Sequence, residues 1–435
     1  MATNKKQTIA VVGGGAAGFF AAINIKEKCP SVDVIILEKG SSPLSKVALT
    51  GGGRCNITNS FDGVKSFASI YPRGERLMQR GFLLFDNKKT MTWFEDHGVH
   101  LMTQDDNRVF PKSQQSTEII NTFLSLSQRL GIIIRCNTKV TTIEQTPSAQ
   151  DCPESKFIIN YQTSNNNSNN VTSKSSEYDS IIADKVVFTI GGCSKEHLDS
   201  IFSKLSIKTT NTVPSLFSFN IQDKRVQAMT GTSVEDVCIK LQGTKIKSSG
   251  ALLFTHWGMS GPAILRLSSY SAMIMSENDY KNIISVNWLG DKNESEIADE
   301  ITSTIIKQGG KQLSSVRIGG LPSKLWTYLL EKISLNETKR WNEIGKKTIN
   351  QLINVLSNDE YHVDGKNRFK DEFVTCGGVS LKSISEKSLE CKNHKGLYFA
   401  GEVLDIDAIT GGFNLQAAWT TAFIVANDIY LHITE

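Results

Sequence analysis

The sequence predicts an α/β fold in which one sheet-and-helix domain is interrupted by an inserted domain. Two features support this prediction. A glycine-rich turn near residue 13 lies between two apolar, strand-like segments, and a second pair of glycines at residues 411 and 412 opens a long apolar segment. The first and last parts of the chain therefore carry the elements of a single domain, and the residues between them form an insertion.

Composition indicates an ordinary globular chain. The 435 residues are 39% hydrophobic and 21% charged, which is enough for more than one domain with its own core. The formal charge of +4 comes from 48 basic and 44 acidic residues, without a block of like charge typical of a nucleic-acid or membrane surface. We therefore expect a small-molecule substrate and neither nucleic acid nor membrane as a partner, and the oligomeric state stays open.

The cysteines indicate an intracellular protein. There are eight, and no two are separated by only two residues, so neither a metal site nor a thioredoxin-like pair is predicted. Scattered thiols in a large chain are typical of the reducing cytoplasm. Lys5 and Lys6 before an apolar run resemble a secretory signal, but the glycine spacing in that run favours a folded element instead.

The segment IAVVGGGAAG places Gly13, Gly15 and Gly18 in the spacing G-x-G-x-x-G, after a short strand and at the start of the helix-like AAGFFAAINIKEK. The first glycine permits a tight turn, the second lets a pyrophosphate approach the backbone, and the third lets the helix pack on the strand. A second strand, residues 32–37, ends in Glu38, whose carboxylate can accept hydrogen bonds from a ribose. These elements predict a dinucleotide site.

The C-terminal segment indicates which dinucleotide binds. The strand-like GLYFAGE is followed by a carboxylate-rich turn, by Gly411 and Gly412, and by an apolar helix from Phe413 to about Ile429. FAD uses two helix N-termini, one for its pyrophosphate and one for the N1 and C2 carbonyl edge of the isoalloxazine ring. The second glycine-opened helix therefore favours FAD over NAD alone.

Several motifs resemble the BaiN-type family of FAD-dependent oxidoreductases. They are GGGAAG near residue 13, TGGGRCNITN at 50–59, RVFPKS at 108–113, THWGMSGPAIL at 255–265, and VTCGGVS with GLYFAGEVLDIDAITGGFNLQAAW near the C-terminus. The resemblance implies a flavoprotein, and some members are NAD(P)H-linked reductases of carbon-carbon double bonds in bile-acid-like enones.

By this resemblance, residues 50–59 run along the ribityl chain and the flavin ring. Arg54 would offset phosphate or reduced-flavin charge, and Asn56 would donate and accept at the polar edge of the ring. Cys55 is either a redox thiol beside the flavin or a small packed residue. The predicted cofactor-binding residues are Gly13, Gly15, Ala16, Ala17, Gly18, Glu38, Lys39, Lys46, Gly52, Gly53, Arg54, Cys55, Asn56, Val140, Gly191, Gly192, Gly401, Glu402, Asp405, Gly411, Gly412, Phe413, Asn414 and Leu415.

The cofactor domain is predicted to be a glutathione-reductase-type Rossmann domain in two parts, residues 1–192 and 367–435. The insertion at 193–366 has strand-like segments of a small barrel in its outer parts and helical periodicity at about 296–356. It contains no second G-x-G-x-x-G, so NADH or NADPH would have to dock transiently against the flavin.

The resemblance implies reduction of a carbon-carbon double bond in a hydrophobic enone by hydride transfer at flavin N5. His256 is the candidate for proton supply or for polarisation of the substrate carbonyl group, because imidazole titrates near neutrality. A domain-junction turn is the alternative reading of its motif. The alternatives for the whole protein are an FAD-dependent RNA-modifying enzyme, a flavin oxidase and a non-catalytic FAD-binding protein.

Overall fold

The fold is described here from a computed structural model, which covers residues 6–146, 156–164, 176–367 and 374–434. The helices are α1 (Ala16–Lys28), α2 (Ser45–Gly53), α3 (Glu75–Leu84), α4 (Asn87–Asp96), α5 (Ser116–Arg129), α6 (Lys195–Ile201), α7 (Lys224–Ala228), α8 (Pro262–Tyr270), α9 (Ala272–Glu277), α10 (Glu294–Gln308), α11 (Ser323–Lys332), α12 (Lys346–Ser357) and α13 (Phe413–Thr434).

The strands are β1 (Thr8–Val12), β2 (Asp33–Leu37), β3 (Thr58–Asn59), β4 (Leu101–Thr103), β5 (Arg108–Pro111), β6 (Ile133–Arg135), β7 (Thr138–Gln145), β8 (Phe157–Ser164), β9 (Ser176–Ala183), β10 (Lys185–Phe188), β11 (Val213–Ser215), β12 (Phe219–Asn220), β13 (Ser233–Leu241), β14 (Lys247–Thr255), β15 (Gly258–Ser260), β16 (Lys281–Asn287), β17 (Asp359–Asp364), β18 (Val374–Cys376), β19 (Glu390–Cys391) and β20 (His394–Phe399).

The chain divides into two compact units. The first contains Met1–Val213 and Val374–Glu435, and the second contains Pro214–Phe373. The division therefore falls later in the chain than the boundaries at 192 and 366 that the sequence suggested. The reason at the first boundary is α6, which packs on β7 through its buried Leu198 and Ile201 and so belongs to the first unit.

The first unit is built on a six-stranded sheet in the order β19-β20-β10-β1-β2-β6. All neighbouring strands from β20 to β6 are parallel, and Ala10 lies opposite both Val186 and Ile35. The central strands are apolar and buried, as expected for a parallel sheet covered on both faces. The carboxyl ends of β1, β2 and β10 meet at Gly13, Glu38 and Thr189, where a doubly wound sheet places its ligand site.

Helices α1 and α13 pack against each other in the first unit. A Cβ atom at Gly401 would lie 2.7 Å from the Cβ of Ala17 in α1 and 4.0 Å from that of Ala418 in α13. Gly401 therefore allows the first turns of the two helices to approach each other. Helix α13 extends to Thr434, beyond the predicted Ile429, which is its last buried residue.

The second unit contains an antiparallel six-stranded sheet in the order β12-β15-β14-β13-β16-β17. An isolated bridge between Phe219 and Lys366 brings the two ends of this sheet together, so the sheet is nearly closed into a barrel. Helices α10, α11 and α12 supply the predicted helical part. Trp326 and Trp341 are buried in its core and stack with ring centroids 6.1 Å apart.

These features confirm the predicted α/β class with a barrel-like and helical insertion. None of the helices in the described ranges is long and apolar enough to span a bilayer. The composition of the polar stretch QTSNNNSNNVTSKSSEY favours an exposed hairpin loop between strands. Its residues 165–175 lie outside the described residues, as does Cys152.

Candidate cofactor site

The turn between β1 and α1 has no room for side chains at two of its glycines. Gly13 has a φ of +107°, and a Cβ atom there would lie 2.5 Å from the carbonyl oxygen of Thr189. At Gly18, a Cβ atom would lie 2.0 Å from the carbonyl oxygen of Gly13. The Thr189 hydroxyl donates to that same oxygen at 2.9 Å. Strand β1, helix α1 and the end of β10 are thus packed at backbone contact, as the glycine spacing predicts.

Gly15 differs from these two glycines. No atom of the described residues lies within 4 Å of the position of a Cβ at Gly15, and its φ of −94° is open to any residue. Gly15 caps α1 without a side-chain hydrogen bond, so N–H groups of the first turn face open space. This arrangement fits the pyrophosphate of FAD, because helix N-termini bind phosphate groups.

Glu38 is held by two backbone amides. The N–H of Gly14 donates to Oε2 at 2.8 Å, and the N–H of Gly40 donates to Oε1 at 2.6 Å. Each carboxylate oxygen keeps a further acceptor lone pair. The carboxylate is therefore fixed at the end of β2 and is able to accept hydrogen bonds from ribose hydroxyl groups.

A pocket lies beside Glu38, at the position where the glycine motif predicts the adenosine half of the dinucleotide. It brings together four of the predicted residues, namely Gly13, Glu38, Lys39 and Val140. The other lining residues are Val12, Leu37, Thr138, Lys139, Ile190, His197 and Ile201.

His197 was missed by the sequence analysis, because no motif surrounds it and only the fold brings α6 to the pocket. Burial lowers the pKa of His197, and the charges of Lys139 and Lys39 lower it further. The lowered pKa favours the neutral form of the imidazole, which lines the pocket beside Glu38.

The glycine run of residues 51–53 interrupts α2. Gly51, Gly52 and Gly53 have φ values of +59°, +69° and +83°, in the left-handed region that favours glycine. A Cβ at Gly51 would lie 2.9 Å from the Phe110 ring, whereas at Gly52 no atom of the described residues lies within 4 Å of the Cβ position. The run therefore packs closely on one side and exposes bare backbone on the other.

Arg54 is held beside this glycine run. Its Nε donates to the carbonyl oxygen of Gly51 at 3.1 Å, and its guanidinium lies 4.3 Å from the centroid of the Phe110 ring. Nη1 also lies 3.3 Å from Oε1 of Gln114. These contacts fix the stem of the side chain, and the resemblance-based role of Arg54 at the cofactor remains a prediction.

Asn56 joins the glycine run to the start of α13. With its amide oriented to suit its neighbours, Nδ2 donates to the carbonyl oxygen of Thr58 and Oδ1 accepts from the N–H of Gly412, both at 2.9 Å. Gly412 has a φ of +93°, and a Cβ there would lie 2.4 Å from the Thr58 carbonyl oxygen. Asn59 donates to the Gly411 carbonyl oxygen at 3.0 Å. The two predicted cofactor segments are therefore physically connected.

The first turn of α13 is also fixed from both sides. Tyr71 donates its hydroxyl to the carbonyl oxygen of Phe413 at 2.9 Å. Asn414 accepts from the N–H of Ala408 and donates to the carbonyl oxygen of Ala408, both at 2.9 Å. These contacts position the helix N-terminus, and its N–H groups can then stabilise negative charge on a flavin ring.

Lys46 and Glu402 form a second charged group of the site. Lys46 Nζ lies 3.3 Å from Glu402 Oε2, and Glu402 Oε1 accepts from the N–H of Thr375 at 2.9 Å. Gly191 lies beside both side chains, since its Cβ position is 3.5 Å from Glu402 Oε2 and 4.0 Å from Lys46 Nζ. The fold thus brings together residues that are far apart in sequence and that were predicted separately.

Cys55 does not have the environment of a redox thiol. Its side chain is fully buried, and burial raises the pKa of the thiol to about 12 although a hydrogen bond with Thr50 acts in the opposite direction. The nucleophilic thiolate is therefore negligible at neutral pH. This position favours the alternative of a small packed residue over the predicted catalytic role.

Arg73 is a charged residue of this unit that the sequence analysis missed. It forms a bidentate ion pair with Asp407, whose side chain is fully buried. Burial raises the pKa of the nearby Asp405 carboxyl. The hydrogen bond with Thr210 and the charge of Arg73 lower this pKa and so offset part of the increase. The carboxylate-rich turn signalled that a cation was needed, but the sequence could not say which of the 48 basic residues would supply it.

His256, the other predicted catalytic residue, lies in the second unit between β14 and β15. Its side chain is exposed and its ring centroid lies 4.4 Å from that of Trp257. Ser260, which the sequence placed near it, shares a hydrogen bond of 2.7 Å with the hydroxyl of Ser218 instead. His256 is therefore free to meet a substrate, and its role stays a prediction.

Fold and site together define an FAD-dependent oxidoreductase of the Rossmann type. Residues 7–428 match the HI0933-like protein Rossmann domain, and the chain belongs to this family. The resemblance found in the sequence motifs is confirmed at the level of this family.

Two curated relatives match almost the whole chain. The ribosomal RNA dihydrouridine synthase of Escherichia coli (strain K12) is 25% identical over 433 residues, covering 96% of this chain and 97% of the relative. The 3-dehydro-bile acid delta(4,6)-reductase of Clostridium scindens is 23% identical over 426 residues, with the same two coverages of 96% and 97%.

Among solved structures, the fold is similar to that of the 3-ketosteroid delta1-dehydrogenase of Sterolibacterium denitrificans, solved in complex with 1,4-androstadiene-3,17-dione. The TM-score is 0.50 at 11% identity, over 98% of this chain and 100% of the other. At this identity the likeness concerns the fold alone.

Proposed function

We propose that this enzyme saturates a carbon-carbon double bond conjugated to a carbonyl group, and that its substrate is a uridine of ribosomal RNA. The observation that carries the proposal is the full-length similarity to two kinds of enzyme whose names describe the same bond change. Dihydrouridine is uridine with its C5–C6 double bond saturated, and that bond is conjugated to the C4 carbonyl group. A 3-dehydro-bile acid with a double bond at position 4 has the same conjugated unit.

Uridine is preferred as the substrate because two relatives bear the same name. The Haemophilus influenzae protein (strain ATCC 51907 / DSM 11121 / KW20 / Rd) is also called ribosomal RNA dihydrouridine synthase and is 25% identical over 427 residues. The sequence analysis had favoured a hydrophobic enone and had kept an RNA-modifying enzyme as the alternative. The similarity reverses that order.

FAD supplies the hydride chemistry when bound, and the chain positions it. Gly15 and the first turn of α1 would hold the pyrophosphate, Glu38 the ribose, and the N–H groups at the start of α13 the ring edge where negative charge accumulates. Asn56 keeps the last two segments in register through Gly412.

The overall reaction needs one hydride and one proton. NADH or NADPH is the proposed donor, and it is oxidised to NAD⁺ or NADP⁺ as the hydride reaches one carbon of the double bond. A proton then adds to the neighbouring carbon. The described cysteines are not disulfide-bonded, and the pKa of each thiol is raised by burial. This environment supports direct hydride chemistry rather than a dithiol relay.

The proposal is tested by anaerobic spectroscopy of the purified protein. We expect flavin absorption bands that NADH or NADPH bleaches, and reoxidation of the bleached protein by a uridine-containing RNA transcript but not by a transcript without uridine. Equal reoxidation by both transcripts, or by neither, would contradict uridine as the acceptor.

An enone small molecule is the second candidate, and the similarity to the bile-acid reductase favours it. Adding a 3-keto-4-ene steroid in place of RNA separates the two possibilities. Reoxidation by the steroid alone would replace uridine with a hydrophobic enone and leave the conjugated double bond as the shared chemistry.

A further inference from the structure

The positive charge of this chain is concentrated in one segment. Residues 307–347 contain nine basic and three acidic residues, a net charge of +6, while the whole chain carries +4. The rest of the chain is therefore slightly acidic, and its overall balance hides the segment. The segment lies entirely within the second unit and includes α11 and the connections on either side of it.

Backbone contacts bring two parts of this segment side by side. The N–H of Asn342 donates to the carbonyl oxygen of Gly309 at 2.9 Å, that of Trp341 to Lys311 at 3.1 Å, and that of Leu313 to Lys339 at 2.8 Å. The chain leaving α10 therefore runs antiparallel to the chain that enters α12.

Two buried tryptophans hold the first of these two segments in place through hydrogen bonds to its backbone. The indole N–H of Trp326 donates to the carbonyl oxygen of Leu313 at 2.8 Å, and that of Trp341 donates to the carbonyl oxygen of Val316 at 3.3 Å. The surface that the two segments form is therefore anchored to the core of the helical region.

Six exposed cations lie along these two antiparallel segments and at the adjoining ends of α10 and α12. We call them the basic surface, and they are Lys307, Lys311, Lys339, Arg340, Lys346 and Lys347. Within the described part of the chain, none of the six takes part in an ion pair. Lys346 and Lys347 also occupy the first turn of α12, where the helix dipole makes cations unfavourable.

The acidic residues nearby are already engaged or stand alone. Glu337 accepts from the Thr327 hydroxyl at 2.9 Å, and Glu343 accepts from the N–H of Arg340 at 3.0 Å. Glu331 is exposed, and Glu300 pairs with Lys292 and accepts from the N–H of Gly319. Among the described residues, none of these carboxylates forms an ion pair with the six cations. Holding the cations together therefore costs electrostatic free energy.

We propose that the basic surface binds the sugar-phosphate backbone of RNA. This inference rests on the proposed function, because it supplies the substrate with a second point of attachment in the second unit. Exposed neutral donors and acceptors lie among the cations, including Gln312, Ser314, Ser315, Asn336 and Thr338, and these suit phosphate and 2′-hydroxyl groups. The spread of cations over a polar surface favours RNA over a membrane, where apolar side chains would have to enter the bilayer.

The test compares two triple variants of the full chain. In the first, Lys311→Gln, Lys339→Gln and Arg340→Gln remove half of the basic surface and retain the backbone hydrogen bonds that these three residues make. In the control, Lys240→Gln, Lys245→Gln and Lys281→Gln remove three exposed lysines elsewhere in the second unit. Both variants should keep the flavin bands and their bleaching by the nicotinamide donor.

Binding of a fluorescein-labelled 30-nucleotide single-stranded RNA is measured by anisotropy over a range of salt concentrations. We expect the first variant to bind RNA at least about tenfold more weakly than the unmodified protein does. The slope of log affinity against log salt is negative, and we expect its magnitude to be smaller by about 2 in this variant. The control should bind as the unmodified protein does. Unchanged binding by the first variant, or equal losses in both, would overturn the inference.

Vesicles of phosphatidylserine and phosphatidylcholine provide the competing partner. Loss of vesicle binding in the first variant with RNA binding intact would overturn RNA in favour of a membrane. The experiment distinguishes a failure of the basic surface from a failure of the proposed function. Dihydrouridine formation with unchanged RNA binding by the variant refutes the surface alone, whereas localised RNA binding without dihydrouridine formation supports the surface and refutes the function.

Discussion

Glu38 is the predicted ligand of the adenosine ribose, and the structure holds its carboxylate in place. Its carboxylate accepts from the N–H groups of Gly14 and Gly40, and so it fixes the glycine turn and the end of β2 together. The sequence predicted this residue from its spacing to the glycine motif, because both belong to one local unit. His197 and Arg73 were not predictable in this way, since only the tertiary fold brings them to their partners.

Replacing Glu38 with Gln should weaken FAD binding by about tenfold or more, because hydrogen bonds to a charged group are lost at the ribose and at two amides. Equilibrium dialysis of FAD with the apoprotein measures the change. Glu27→Gln is the matched control, since Glu27 lies on α1 but pairs with His97. Equal FAD affinity in the two variants would remove Glu38 from the site.

Replacing Cys55 with Ser should leave flavin content and the rate of flavin reduction unchanged. A thiol with a pKa of about 12 is protonated at neutral pH and cannot serve as a thiolate nucleophile. The hydroxyl should instead lower the free energy of unfolding by about 1–2 kcal/mol, because it is buried. A variant that binds FAD normally but is no longer reduced would restore a redox role for Cys55.

Replacing His256 with Ala should slow substrate reduction by about a hundredfold without loss of bound FAD, if this imidazole supplies the proton. Stopped-flow reoxidation of the bleached protein by RNA isolates that step. His362→Ala is the control, since His362 is also an exposed histidine of the second unit. The same rate in both variants would leave His256 as a turn residue only.

At the scale of elements, the candidate site lies at the N-termini of α1 and α13, two helices that pack against each other. Gly401 lies between Ala17 and Ala418 with no space for a side chain, and Asn56 ties the glycine run to Gly412. The sequence predicted α1 as residues 16–28, which is where the structure has it, because the glycine turn and its apolar run mark both ends. It predicted the end of α13 at about Ile429, whereas the helix continues to Thr434. It also assigned α6 to the inserted domain, because the packing of α6 on β7 depends on partners distant in sequence.

The open space at Gly15 gives an element-scale prediction that separates ligand binding from folding. Gly15→Ala should keep the thermal midpoint of the apoprotein and should weaken FAD binding at least about tenfold, because the added methyl group meets no described protein atom and would fill the phosphate position. Differential scanning fluorimetry with and without FAD measures both properties.

Gly345→Ala is the matched control for this variant. Gly345 also caps a helix, has a φ of −85°, and has no atom of the described residues within 4 Å of its Cβ position. It should leave FAD affinity unchanged. An apoprotein of Gly15→Ala that binds FAD as tightly as the control would place the pyrophosphate elsewhere.

At the scale of the whole molecule, charge is distributed differently from what the composition suggested. A near balance of 48 basic and 44 acidic residues led us to expect no nucleic-acid partner. The segment 307–347 carries more positive charge than the chain as a whole, and its cations are brought together by backbone pairing that no local pattern reveals. The net charge of the whole chain therefore does not reveal the basic surface, because the fold brings its residues together.

The central claim is that the enzyme saturates the uracil ring of a uridine in ribosomal RNA. The most direct measurement is mass spectrometry of nucleosides from a ribosomal RNA transcript, incubated anaerobically with the FAD-loaded protein and either NADH or NADPH. We predict dihydrouridine, heavier than uridine by two hydrogen atoms, only when protein and donor are both present. A protein whose flavin the donor bleaches, but which forms no dihydrouridine in any transcript while reducing a 3-keto-4-ene steroid, would contradict the claim.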